Sequence, residues 1–300
     1  MLEAHQVREL LVDGGHFCAA SGLVRRSDFL YVIGDDSNDL GVFRIQSDGP
    51  GHLIPIFEGE LPEEHKARKA AKPDLEALTG LPPFEDHPHG ALLALGSGST
   101  EARRRGFFWG LEEDGSLSGE KLVLDLAPMY AALEAVVHDL NIEGVAVAGD
   151  RVLLFQRGNS EKGLNAVVEL ALADVVRDIL ERRPLEASEI HSVREHDLGE
   201  RSGVKLTFTD ADGLPDGRVV FSCAAEDTSN PYDDGEIVGS GIGLLSATGE
   251  VERVELLSDP SFKVEGVDAV ESDELLHLLM VCDADDASIP SPLLSATLAA

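Results

Sequence analysis

A short polar head, usually followed by glycine, stands ahead of an apolar strand five times along this 300-residue chain, and no other feature constrains the fold as much. The clearest copy is Ile142-Glu143-Gly144-Val145-Ala146-Val147, which a Gly149-Asp150 turn joins to the apolar run Arg151–Phe155. Val264-Glu265-Gly266-Val267 and Ala20-Ser21-Gly22-Leu23 repeat it, and Leu75-Glu76-Ala77-Leu78 and Thr209-Asp210-Ala211-Asp212-Gly213 are degenerate copies. With heads at Ser21, Glu76, Glu143, Asp210 and Glu265, the spacings are 55, 67, 67 and 55 residues, and 56 through the two termini. Repetition at this period belongs to propellers and solenoids, whose units cannot bury their apolar faces alone.

The apolar runs between heads group in fours. Residues 19–26, 29–34, 40–45 and 52–57 read as one antiparallel meander, and similar sets begin at 74, 143 and 206. The fifth set, 265–270, 275–282 and 292–298, has only three members. The lone strand 5–12 supplies the fourth, so the sequence predicts an all-β, five-bladed β-propeller spanning 1–300 as one domain, closed by its N-terminal strand. Helical insertions are expected at 61–71, 127–140 and 173–183. A six-bladed ring would need another apolar meander, and a two-sheet sandwich leaves the regular heads unexplained.

Lys and Arg number 24 against 56 Asp and Glu, a formal charge of −32, which argues against a nucleic-acid backbone or an anionic membrane and makes cations the natural guests. An acidic surface that only keeps the chain in solution is the plainer reading of this total. Cys18, Cys223 and Cys282 are odd in number, unrelated in spacing and set in apolar runs, so reduced core thiols in a cytoplasmic protein are expected.

First strands of propeller blades line the central channel, so the five heads converge near one mouth. Carboxylates facing one another raise each other's pKa unless a counter-charge intervenes. Ser21, Glu76, Glu143, Asp210 and Glu265 are therefore candidate ligands for a hard cation, with Ca2+ suited to a flexible set of oxygens; acids that bind only water or cap backbone N–H groups are the alternative. Loops after each second strand open on the same mouth and bring Asp36, Arg157, Glu226 and Asp283 there. Arg157 is a candidate clamp for an anionic ligand, or the ion-pair partner of Asp36, Glu226 or Asp283. The three acids are candidate general bases. His87 and His89 lack a third ligand at metal spacing, Ser97-Gly98-Ser99 lacks the flanks of a nucleophile elbow, and Asp233-Asp234-Gly235 is a turn or a minor calcium loop. Arg103-Arg104-Arg105 is expected to neutralise nearby acids.

The segments Ser21-Gly22, Glu143-Gly144 and Ala225-Glu226-Asp227-Thr228 resemble those of phytase-esterase-like propellers and of a bacterial propeller family, over almost the whole chain. More distantly, the chain is similar to calcium-dependent apyrases. That likeness implies an axial calcium on Ser21, Glu76, Glu143 and Glu265, with Asp210 standing where the apyrases have Ser. The expected function is a small-molecule site above an axial calcium, with metal-assisted hydrolysis of a phosphoester or ester. A non-catalytic module whose mouth binds a protein or carbohydrate partner is the alternative.

Overall fold

The computed structural model describes residues 1–160, 163–186, 189–227 and 235–300. Among them, antiparallel meanders form five blades. Blade 1 is Ala20–Arg26, Phe29–Gly34, Asp39–Arg44 and His52–Pro55; blade 2 is Leu75–Leu81, Ala91–Gly96, Arg105–Leu111 and Leu117–Asp125. Blade 3 is Ile142–Ala148, Arg151–Gln156, Asn165–Ala171 and Ile190–His196, and blade 4 is Val204–Gly213, Val219–Asp227, Glu236–Leu245 and Val251–Leu256 with the short Glu200–Arg201 beside its first strand. Blade 5 takes Lys263–Ser272, Leu275–Asp283 and Pro292–Ala299 from the C-terminal end and Ala4–Glu9 from the N-terminal end. Ala4 faces Ala296 and Glu9 faces Pro292 in that antiparallel closure. The five-bladed reading therefore stands and the six-bladed one falls.

Burial falls outward along each blade, which explains why only the outer strands look half-polar in sequence. Phe29–Gly34 and Ala91–Gly96 are buried throughout, whereas His52–Pro55 and Ile190–His196 are largely exposed. Each first strand packs on the first strand of the next blade, and the fifth on the first. Apolar side chains fill the seams between neighbouring blades in five clusters, so the core is a ring of slabs. Near the axis there is no room for side chains at some positions. A Cβ on Gly144 would lie 2.9 Å from the backbone of Asp210 and Ala211, and one on Gly266 would lie 2.9 Å from the Cα of Gly22.

Local departures from the sequence reading have local causes. The N-terminal strand ends at Glu9, and Leu11–Val12 then pairs with Gly15–His16 in a small hairpin that was not expected. The second inserted helix stops at Leu133, but Val137 and Leu140 beyond it still cover the blade 2–3 seam, which preserves the helical-looking apolar spacing. Leu117-Ser118-Gly119 opens the strand Leu117–Asp125, which shifts register between Phe108 and Gly110. The other helices, His65–Ala71 and Leu172–Leu180, lie where the sequence places them.

Candidate functional site

Every first strand carries a β-bulge near its start, and the bulged residue is the head. Register slips by one between Ala20 and Gly22, Leu75 and Ala77, Ile142 and Gly144, Phe208 and Asp210, and Val264 and Gly266. A bulge inserts one unpaired residue and re-aims its side chain. The five equivalent residues are thus Ser21, Glu76, Glu143, Thr209 and Glu265, so the head of blade 4 is Thr209 and not Asp210. The hydroxyls make the equivalence concrete. Ser21 Oγ donates to the carbonyl of Leu75, the residue before Glu76, and Thr209 Oγ1 donates at 2.7 Å to the carbonyl of Val264, the residue before Glu265.

Asp210 has a different surrounding. It is fully buried, its Oδ2 accepts from Val267 N at 2.9 Å, and its Oδ1 has no partner among the described residues. Burial holds its carboxyl well above the usual range, against the backbone N–H bond from Val267. Neither Asp210 nor Thr209 lines the cavity at the channel mouth.

Ser21, Glu76, Glu143 and Glu265 line a cavity of about 1030 Å3 at the channel mouth. Burial, then repulsion from Glu143, Asp74 and Asp35, holds Glu76 well above the normal carboxylate range. Burial, with Glu265 and Asp74 opposing the pull of Arg157, pushes Glu143 up to about 7. Glu265 is raised too, again mainly by burial. Glu143 Oε1 accepts from Asn141 Nδ2 at 2.5 Å, while Glu265 Oε2, on a side chain that is almost completely buried, has no partner among the described residues. Carboxylate oxygens of Asp35, Asp74 and Glu76 lie within 4.8 Å of one another.

Residues 16–298 match the model of a family of unknown function, DUF6929. The chain belongs to the DUF6929 family. The matching family model bears neither the phytase-esterase nor the apyrase name, so those likenesses hold only as far as a propeller family. No curated protein matches this DUF6929 chain. Among solved structures, glutaminyl cyclase of Myxococcus xanthus is 11% identical, with a TM-score of 0.50 over 100% of this chain and 98% of that one. The tail fiber of Staphylococcus aureus phage P68 is 12% identical, with a TM-score of 0.48 over 99% of this chain and 53% of that one. At such identities the glutaminyl cyclase likeness speaks to the fold alone.

The four loop residues expected at the DUF6929 mouth all line the cavity, three of them tied into ion pairs. Asp36 accepts from Arg68 Nε at 2.6 Å. Arg157 reaches Glu226 at 2.6 Å, Glu143 at 3.4 Å and Thr207 Oγ1 at 3.2 Å, so it takes the ion-pair role. Glu226 also accepts from Gly235 N at 3.0 Å. Asp283 alone among the four has no ion-pair partner among the described residues; its Oδ1 accepts from Asp285 N at 3.0 Å, and burial together with Asp35 pushes it up to about 8.

Other cations also border the cavity, Lys263 and Lys72 missed by the sequence reading and Arg103 expected there to neutralise acids. Lys263 lies 3.2 Å from Glu265 and 2.8 Å from Asp285; Lys72 pairs with Asp35 and, at 3.0 Å, with Asp74; Arg103 lies 2.8 Å from Asp74. A signal for one of them exists. Lys263 stands two residues before a head, as Asp74, Asn141 and Thr207 do in blades 2, 3 and 4. Arg103 and Arg104 do neutralise acids, the latter Glu134, whereas Arg105 stacks over the Phe57 ring. His87 packs edge-on against Phe108 with ring centres 4.8 Å apart. Asp233 and Asp234 lie outside the described residues. No helix among the described residues is long and apolar enough to cross a membrane.

Proposed function

We propose that the mouth of the DUF6929 propeller holds a calcium ion on Glu76, Glu143 and Glu265, with the hydroxyls of Ser21 and Thr209 completing the ring, beneath a small-molecule site. The observation that carries this reading is three glutamates at equivalent bulges, Glu143 and Glu265 buried and Glu76 half-buried, each held above its ordinary pKa, one with an oxygen that has no partner among the described residues. Arg157 at 3.4 Å from Glu143 and Lys263 at 3.2 Å from Glu265 do not bring these carboxyls back to their ordinary range, and three carboxylates with two hydroxyls match the flexible all-oxygen shell that calcium takes at about 2.3–2.6 Å. Because the Ser21 and Thr209 protons are committed to carbonyls, those hydroxyls offer only lone pairs elsewhere.

Hydrolysis of an ester or phosphoester is the reaction class that suits this arrangement. A bound calcium ion would supply charge against the negative charge that develops in such a reaction. Asp283, in the cavity wall and pushed up to about 8, can take and return a proton near neutral pH. Arg157 holds Glu143 and Glu226 in place and is not a free clamp. One observation favours a non-catalytic binding module instead: Asp36, Arg157 and Glu226 are all fixed in ion pairs. Thermal unfolding with calcium and with chelator, followed by an ester and phosphoester screen of wild type and Glu143→Gln, separates the readings. Calcium-dependent turnover lost in Glu143→Gln supports the hydrolase. Calcium stabilisation without turnover supports the binding module, and no calcium effect removes the metal from both.

A further inference from the structure

The cavity above the ring is unbalanced in hydrogen-bonding capacity as well as in charge. Each lysine and arginine bordering it is already engaged: Arg68 by Asp36, Lys72 by Asp35 and Asp74, Arg103 by Asp74 and Ser99, Arg157 by Glu143 and Glu226, and Lys263 by Glu226, Glu265 and Asp285; Lys69 is engaged as well. An anion entering here would have to break an existing pair before it met a lysine or arginine, with only His65, His138 and polar side chains such as Asn159 left to donate.

Acceptors, by contrast, stay open. Glu265 Oε2, on a side chain only 5% exposed, and Asp35 Oδ1 have no partner among the described residues, and Asp283 has only a backbone N–H on one oxygen. Asp35 and Asp283 come from the ends of the second strands of blades 1 and 5, so they meet across the seam where the ring closes, beside Cys18. Burial raises both, and each carboxylate in turn opposes ionisation of acids around it. The wall also includes apolar Ala19, Ala20 and Ala287 near this seam, which suits the carbon skeleton of a small guest.

We propose that the small molecule bound at the mouth carries a protonated primary amine, and that Asp35 and Asp283 receive its ammonium across the blade 5–blade 1 seam. The proposal deepens the small-molecule site described above and rests on that reading. It does not depend on the axial ion. An ammonium supplies three donors and one positive charge, which is what the open acceptors lack. A free amine and a peptide N-terminus share this chemistry, and suitable probes distinguish them.

The test is calorimetric titration of the full chain, with calcium and with chelator, using 1,4-diaminobutane, glycylglycine, N-acetylglycylglycine and inorganic phosphate. Expected is saturable binding of at least one amine probe, with the diamine or the dipeptide preferred according to source. N-acetylglycylglycine and phosphate should not bind. Asp283→Asn should weaken the amine by about tenfold or more, the equivalent of about 1.4 kcal/mol, while the calcium-induced shift in melting temperature is unchanged. Phosphate binding as tightly as the amines, an acetylated dipeptide equal to the free one, no amine binding at all, or an Asp283→Asn variant with wild-type amine affinity each overturns the proposal. Amine binding that persists without any calcium effect would sink the axial ion and leave the amine site standing.

Discussion

Acids occupy two levels of the same channel, and only the deeper ones are held by backbone N–H groups of the next blade. At the mouth, Glu76, Glu143 and Glu265 face side chains and open cavity, and repel one another. Deeper along the first strands, carboxylates meet backbone. Asp210 accepts from Val267 N, Asp212 from Ala269 N, and Asp268 from Arg25 N, each at 2.8 or 2.9 Å, and Asp268 also pairs with the Arg25 guanidinium at 2.8 Å. The deep set therefore staples blade 4 to blade 5 and blade 5 to blade 1, at the seams that close the ring. One residue type serves assembly where backbone donors satisfy it, and ligand capture where they do not.

The largest test of that contrast removes a staple. Asp268→Ala leaves Arg25 without its carboxylate and should cost about 3 kcal/mol in denaturant unfolding, without altering the calcium-induced shift; a loss confined to calcium response would place Asp268 with the mouth instead. Glu143→Gln should behave in the opposite way. Without calcium it should be as stable as wild type or more so, because repulsion from Glu76 and Glu265 is relieved. It should forfeit the gain that calcium gives wild type, about 2.7 kcal/mol at a hundredfold excess over Kd. Equal calcium response in the two proteins would break the comparison.

The blades were legible because packing on both faces turns inner strands into unbroken apolar runs, and because Ser21-Gly22, Glu143-Gly144 and Glu265-Gly266 mark where bulges crowd the axis. Blade 4 misled at the residue level. Asp210 looks like a head, yet the bulge falls one residue earlier, and its carboxylate occupies the position that Gly144 and Gly266 keep free of side chain in their blades. The ion pairs of the mouth were mostly illegible. Arg68 reaches Asp36 from the helix His65–Ala71, and Lys72 just beyond it reaches Asp35, so a chain reversal decides the pairing and no spacing records it.

Two smaller effects sharpen the contrast. Burial and the neighbouring Asp268 push Asp212 up to about 7, so the native chain keeps a proton that the unfolded chain releases near pH 3.9. Its contribution to stability is present at low pH and is lost as pH rises through about 7. Asp212→Asn can keep the Ala269 bond and should match wild type at pH 4, then exceed it above pH 7 by about 1.5 kcal/mol after allowing for solvent screening. A gain at low pH instead would reverse the sign. Thr209→Val, which deletes the hydroxyl bonded to Val264, should cost about 1 kcal/mol and reduce calcium affinity, whereas Thr209→Ser should retain both; a Val variant with undiminished calcium affinity would remove Thr209 from the ring.

A crystal structure grown with calcium bears most directly on the axial ring. The expected result is one ion on the channel axis, bonded to Glu76, Glu143 and Glu265 at about 2.3–2.6 Å, with Ser21 and Thr209 oxygens facing it. An axis holding only water, or calcium bound by Asp35 and Asp74 away from Glu143 and Glu265, would contradict it.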